Sequence, residues 1–253
     1  MRIVAVAQNT LRETTRDKVL YVLLFFAGIT ILGSKALGWI SIGQDIKIVK
    51  DISLAAVSVF GALISIFVGT SLVYKEIDKR TVYTILCRPL YRYEFILGKY
   101  LGLAVLLAMV TGTMTAVAAA YVVALGGTLD STFFLAALLV YWQLLLITAF
   151  AVLLSSLTSP ILGAIIVFSI YVAGHATRIL IELPPHFDDT LAKNVLNWVY
   201  YLVPNLTNFD IRSEAANDIP VAPGYVVWAL LYGTAYTAMI LTLAALAFED
   251  KDV

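Results

Sequence analysis

Residues 132–154 read TFFLAALLVYWQLLLITAFAVLL, an apolar run without one Asp, Glu, Lys or Arg. A helix that crosses the hydrocarbon core of a bilayer needs about 20 mostly apolar residues, and this run is long enough. Five more stretches qualify on the same count: residues 19–40, 52–74, 100–125, 161–180 and 225–248. Lys35 lies five residues before the end of the first, near enough to snorkel to the headgroups. That stretch is too long, and lacks an Ala-x-Ala-like cleavage site, to be a signal peptide. The composition agrees. Of the 253 residues, 61% are apolar and 13% charged, against roughly 45–50% and about 25% in soluble proteins. With a mean hydropathy of +0.91, a soluble enzyme, a disordered chain and a disulfide scaffold are all excluded. The expected fold class is an all-α integral membrane protein, a single domain over residues 1–253 with six transmembrane helices.

Orientation follows from the distribution of Lys and Arg. With the N-terminus inside, eleven basic and eight acidic residues lie on the cytoplasmic side, and six and nine lie outside. The balance is +3 inside (11 − 8) and −3 outside (6 − 9), and six spans return the C-terminus to the cytoplasm. The 17 basic and 17 acidic residues cancel overall, which gives no footprint for nucleic acid. The lone Cys87 reads as a small apolar filler.

The loops are unequal. Residues 126–131 and 155–160 are tight turns, so the third, fourth and fifth spans form antiparallel hairpins. Two longer segments remain, 75–99 inside and 181–224 outside. In the outer one, Leu191, Val195, Trp198, Val199 and Leu202 fall on one helical face, and Pro204 stops the helix. Its aromatics suit an interfacial helix over 189–202 on the outer leaflet. In the inner one, Glu76 and Arg80 are spaced to pair across one helical turn, Val82, Ile85 and Leu86 form an apolar strip, and Arg88-Pro89 breaks the helix. A short helix with charged and apolar faces at the membrane surface is built to dock something.

Small residues mark close helix contacts within a membrane. In the second span Ser58, Ala62, Ser65 and Gly69 follow a 4,3,4 rhythm; in the third, Ala104, Ala108, Gly112, Ala116 and Ala120 recur every four residues. Both stripes imply helix contacts, within the subunit or between two copies. Gly98 and Gly102 also fit the small-xxx-small pattern, a weak and common match. Gln143, the most polar side chain at mid-depth, predicts an interhelical hydrogen bond. No span carries an ionisable group at mid-depth, against a proton relay. His175 and His186 are unclustered, poor evidence for a metal site. Phosphate-binding, nucleophile-elbow and zinc-protease motifs are missing, so no catalytic residue and no cofactor is expected in this chain. Energy for transport would come from another one.

The run LVYKEIDKRTVYTIL at residues 72–86, Arg88-Pro89 and EFILGK at 94–99 resemble the permease subunits of type-2 ATP-binding-cassette (ABC) exporters. NTLRE at 9–13, RDKVLY at 16–21, Pro204-Asn205-Leu206 with Phe209-Asp210, and FEDKD at 248–252 look like the same family. The likeness implies six helices per subunit, a second permease copy or close paralogue, and two ABC ATPase subunits beneath, where MgATP binds. It implies a coupling role for Glu76, Arg80, Tyr83, Leu86 and Arg88, and an amphipathic N-terminal helix within residues 1–18 along the inner leaflet. It gives the second and fifth spans, and with them Ser58, Ala62, Ser65 and Gly69, to the subunit interface and pathway. The separate-subunit pattern is that of a bacterial or archaeal plasma membrane. An exporter permease is the leading expectation. Two others stand beside it: an ABC-linked machine passing force to an extracytoplasmic protein, and a stand-alone secondary transporter or membrane enzyme.

Overall fold

A computed structural model describes residues 2–38, 44–78, 92–177 and 203–249. Among them run α1 (Arg2–Thr14), α2 (Lys18–Gly38), α3 (Asp45–Asp78), α4 (Arg92–Ala124), α5 (Ser131–Leu157) and α6 (Pro160–His175). A 3-10 turn (Leu206–Phe209), α7 (Arg212–Ala216) and α8 (Pro223–Glu249) follow, with no strand among the described residues. The chain is all-helical there, and α2, α3, α4, α5 and α8 are long and apolar enough to cross a membrane. The fifth expected span begins on schedule at Pro160, but as α6 it is shorter than the other five. The interfacial helix expected over 189–202 lies outside the described residues.

Local chemistry explains the helix ends. Pro160 stands at the first position of α6, where its missing N–H costs nothing and its fixed φ suits the helix, behind an extended Ser159. At the end of α4, Gly126 adopts φ 80° and the Gly127 N–H reaches back to Val122 O at 3.0 Å. That left-handed stop needs glycine's freedom, and it makes the expected tight turn into α5. The start of α3 differs from expectation. The helix begins at Asp45, seven residues before the apolar run, so Lys47, Lys50 and Asp51 belong to it.

The fifth element, α5, packs along both α3 and α8, while α2 lies along α3 and α1 along α4. Its Leu144, Leu146, Ile147, Ala149, Ala151 and Val152 are buried. In the spans, hydroxyls are satisfied largely within their own helix. Thr70 bonds Ile66 O, Thr111 bonds Leu107 O, Thr148 bonds Leu144 O and Ser169 bonds Ile165 O. With no water in the hydrocarbon to serve them, this is the nearest acceptor such groups have.

Candidate functional site

Of the residues expected to carry function, Ser58, Ala62, Ser65, Gly69 and Glu76 belong to α3. Glu76 is in the last turn of its helical backbone. The Glu76 side chain, and Arg80, Tyr83, Leu86 and Arg88 entirely, lie outside the described residues. The bracketing geometry is clear: α3 reaches Asp78 unbroken, α4 starts at Arg92, and the two helices pack together. Residues 79–91 thus join two packed helices.

Ser58, Ala62 and Ser65 are buried, and Gly69 meets α5. The Gln143 amide donates to Ser58 Oγ at 3.4 Å, and Ser58 Oγ lies 3.4 Å from the Tyr171 hydroxyl of α6. Ser65 Oγ and Thr148 Oγ1 share a hydrogen bond of 2.8 Å. A Cβ placed on Gly69 would stand 2.7 Å from Ala151 Cβ, and one on Gly61 would stand 2.5 Å from Leu144 Cδ1. The seam is closed by small residues because nothing larger fits. It joins α3 to α5 and α6 within one chain, and Gln143 makes the interhelical bond its position predicted.

The opposite arrangement holds on α4. Ala108, Gly112, Ala116 and Ala120 face outward, and the space beside Gly112 is open. Ala108, Gly112 and Ala116, with Phe134, Leu138 and Tyr141 of α5, line a shallow apolar groove of about 390 Å³. A second uncovered face runs along α6, where Ile161, Leu162, Ile165, Phe168 and Val172 are exposed, beside Val59 and Phe67 of α3.

A cap lies over one end of the seam. The 3-10 turn starts on Asn205, whose side-chain oxygen accepts from the Thr207 N–H at 3.1 Å. Leu206 packs into the space left by Gly174, where a Cβ would be 2.6 Å away. The Asn205 N–H donates to the Tyr232 hydroxyl of α8 at 2.9 Å. Arg212 grips Asp210 with two bonds, Nε to Oδ1 at 2.7 Å and Nη2 to Oδ2 at 2.6 Å. Burial alone would raise the Asp210 carboxyl, but the Arg212 bonds and charge hold it below the usual carboxylate value. The same bonds raise Arg212 despite its burial.

At the other end, α1 is docked against the first turns of α4. A Cβ on Gly98 would stand 2.6 Å from Val6 Cβ, and one on Gly102 would stand 2.7 Å from Ala7 O. Lys99 between them is buried, 3.6 Å from the Glu13 carboxylate, with its ammonium 5.6 Å from the Phe95 ring centre. Phe95 in turn stacks on Phe248 of α8 at 5.8 Å. The small-xxx-small match that looked commonplace is a close helix contact.

Among the described residues no group of His, Cys, Asp and Glu is arranged to hold a metal ion. The arrangement of the described residues is that of a packed bundle of apolar helices. The model of the family described as ABC-2 family transporter protein matches residues 4–253, nearly the whole chain. The chain belongs to the ABC-2 transporter family. It is a multi-pass membrane protein and a permease subunit of an ABC transporter, a transport component that is not itself catalytic. Membership implies, in general, an ABC ATPase as partner. No curated protein sequence matches it.

In this ABC-2 permease, three things escaped the sequence reading: the helical charges Lys47, Lys50 and Asp51, their partners beyond residue 209, and the α1 docking site. Gly98-xxx-Gly102 was a usable signal for the last. For the first two, nothing in the run 45–51 announces a helix, because its charges find their partners some 170 residues later.

Proposed function

We propose that this permease is half of the membrane part of an exporter, driven by ATP hydrolysis in a separate ATPase that binds MgATP. The family match over residues 4–253 carries this reading. In it, six helices span the plasma membrane of a bacterium or archaeon, with both termini in the cytoplasm. The segment after α3 seats on the ATPase, with Glu76, Arg80, Tyr83, Leu86 and Arg88 as its coupling residues, and two ATPase copies serve two permeases. A second copy or close paralogue covers the exposed face of α6 and the neighbouring Val59 and Phe67 of α3. The buried stripe of Ser58, Ala62, Ser65 and Gly69 backs that interface and stiffens the pathway wall. The unbroken run of α3 from Asp45 to Asp78 supports the reading, since one rigid element then spans the bilayer and meets the coupling segment. The experiment is affinity purification in mild detergent. The unmodified permease brings down an ATPase, while Glu76→Lys or Leu86→Asp leaves the permease folded and inserted but loses the ATPase or its coupling. An unmodified permease that isolates without any ATPase overturns the reading.

A further inference from the structure

At 34 residues, α3 is about 51 Å long at 1.5 Å per residue. The hydrocarbon core is about 30 Å thick, so the helix must project well beyond it. Its sequence contains no proline, and no kink of that origin interrupts it. The first two turns carry Asp45, Lys47, Lys50 and Asp51. There Lys50, 1% exposed, pairs with Asp218 at 2.6 Å, just beyond the end of α7. One turn earlier, Lys47 donates to Asn217 Oδ1 at 3.1 Å. The charge of Asp51 acts on Arg212, at the other end of α7. The C-terminal end of the cap helix is thus met by α3, cation to anion.

The cap is built to hold that pairing. Asp218 adopts φ 54°, a left-handed conformation that aspartate tolerates better than most residues. The Ile219 N–H reaches back to Glu214 O at 2.9 Å, and Thr132 of α5 donates to Ile219 O at 3.2 Å. An ion pair with one buried member is weak evidence for stability, because well-packed apolar residues would serve as well or better. Its better-attested use is to fix one register between packed elements. Beside the pair lies a cleft of about 550 Å³, lined by Lys35, Asp45, Lys47, Lys50 and Asp218 among others, which leaves room for the two sides to part.

We infer that Lys50 and Asp218 are positioning residues that make the α7 cap ride on α3, carrying displacement from the ATPase end to the outer end of the permease. This rests on the ATPase-driven reading above. It goes beyond it by naming the outer contact through which α3 acts. The 3-10 turn is held to α6 and α8 by Leu206, the Asn205 backbone and Phe209 against Gly233, whereas the residues closing α7 are tied to α3 by Lys50–Asp218 and Lys47–Asn217, beside the buried Ile211 and Ala215. Motion of α3 consequently tilts the cap about its Leu206–Phe209 side.

The test uses the complete permease–ATPase complex in nanodiscs. Cys87→Ser removes the single native cysteine, and Ala216→Cys places a buried reporter in α7. Maleimide labelling is followed with and without ATP plus vanadate. With the clamp intact, labelling is slow and nucleotide trapping changes its rate. Asp218→Asn, which leaves the buried Lys50 ammonium without its carboxylate, raises basal labelling about tenfold or more and abolishes the nucleotide response. Lys50→Arg retains the response, and Lys50→Asp with Asp218→Lys restores it. A full nucleotide response in Asp218→Asn, with the ATPase still bound, overturns the inference and leaves the proposed function standing. A parent complex that responds to nucleotide nowhere in the cap also overturns it. Failure of the unmodified permease to retain any ATPase overturns both.

Discussion

The sharpest energetic contrast lies on a single helix. Gly102 and Gly112 are both interior to α4, ten residues apart. At Gly112 nothing lies within 4 Å of a new Cβ, so Gly112→Ala gains the ordinary helix preference of alanine, about 1 kcal/mol. At Gly102 the new atom meets Ala7 O at 2.7 Å and Thr10 Cβ at 2.6 Å, against an ordinary lower limit of 3.4 Å. The carbonyl is backbone and no rotamer moves it, so α1 must retreat by about 0.7 Å (3.4 − 2.7 Å). Overpacking of this kind costs roughly 1–3 kcal/mol, from which the helix gain of about 1 kcal/mol is subtracted. Gly98 faces the same situation against Val6. The double variant Gly98→Ala, Gly102→Ala is therefore expected to lose about 2 kcal/mol of α1 docking and Gly112→Ala to gain about 1 kcal/mol, a gap of roughly 3 kcal/mol. Thermal unfolding in detergent reads the sign, and hydrogen exchange over Arg2–Thr14 reads the location. Equal midpoints for the two variants, or α1 protection unchanged in the double variant, would refute the packing argument.

Three further outcomes are expected. Gly69→Ala parts α3 from α5 at Ala151 Cβ and lowers stability by about 1–2 kcal/mol; adding Ala151→Gly removes the clashing atom and recovers at least half of the loss in the same thermal assay. The Asp210 carboxyl is held low by Arg212, so its stabilisation is fully present above the unfolded value near about 3.9 and is lost as pH falls through the folded value; exchange protection over residues 206–216 holds from pH 7 to about 4 and collapses below, and loosening already complete at about pH 5 counts against the pair. For topology, a cysteine at exposed Asn9 resists a membrane-impermeant thiol reagent in intact cells while one at Asn217 labels, and labelling at Asn9 reverses the orientation.

The spans were legible because the bilayer imposes length and apolarity on each, and 132–154 satisfies both without reference to a neighbour. Partners were not legible. The Ser58–Gly69 stripe announced a close contact, yet only the positions of Thr148 and Ala151 tell which helix it meets. The stripe on α4 is also made of small residues, yet from Ala108 to Ala120 it faces outward, so a run of small residues alone does not separate a seam from a bare wall. The early start of α3 escaped hydropathy because a charged turn looks like loop until Asp218 and Asn217 are seen beside it. The turns at 126–131 and 155–160, whose constraints are local, were legible from sequence.

The self-served hydroxyls of the spans have a mechanical consequence. A threonine that donates its one hydroxyl proton to its own helix can only accept from a neighbour, and two helices whose hydroxyls make no such cross-contact can slip lengthwise without breaking a polar contact. Between α3 and α5 the Ser65–Thr148 bond and the Gly61 and Gly69 notches interlock, and slippage there meets both a lost hydrogen bond and a steric stop. Under a force applied at one end, these two helices are geared together and shear as one body, while α2 is tethered to α4, whose Tyr121 hydroxyl donates to Leu32 O at 2.7 Å.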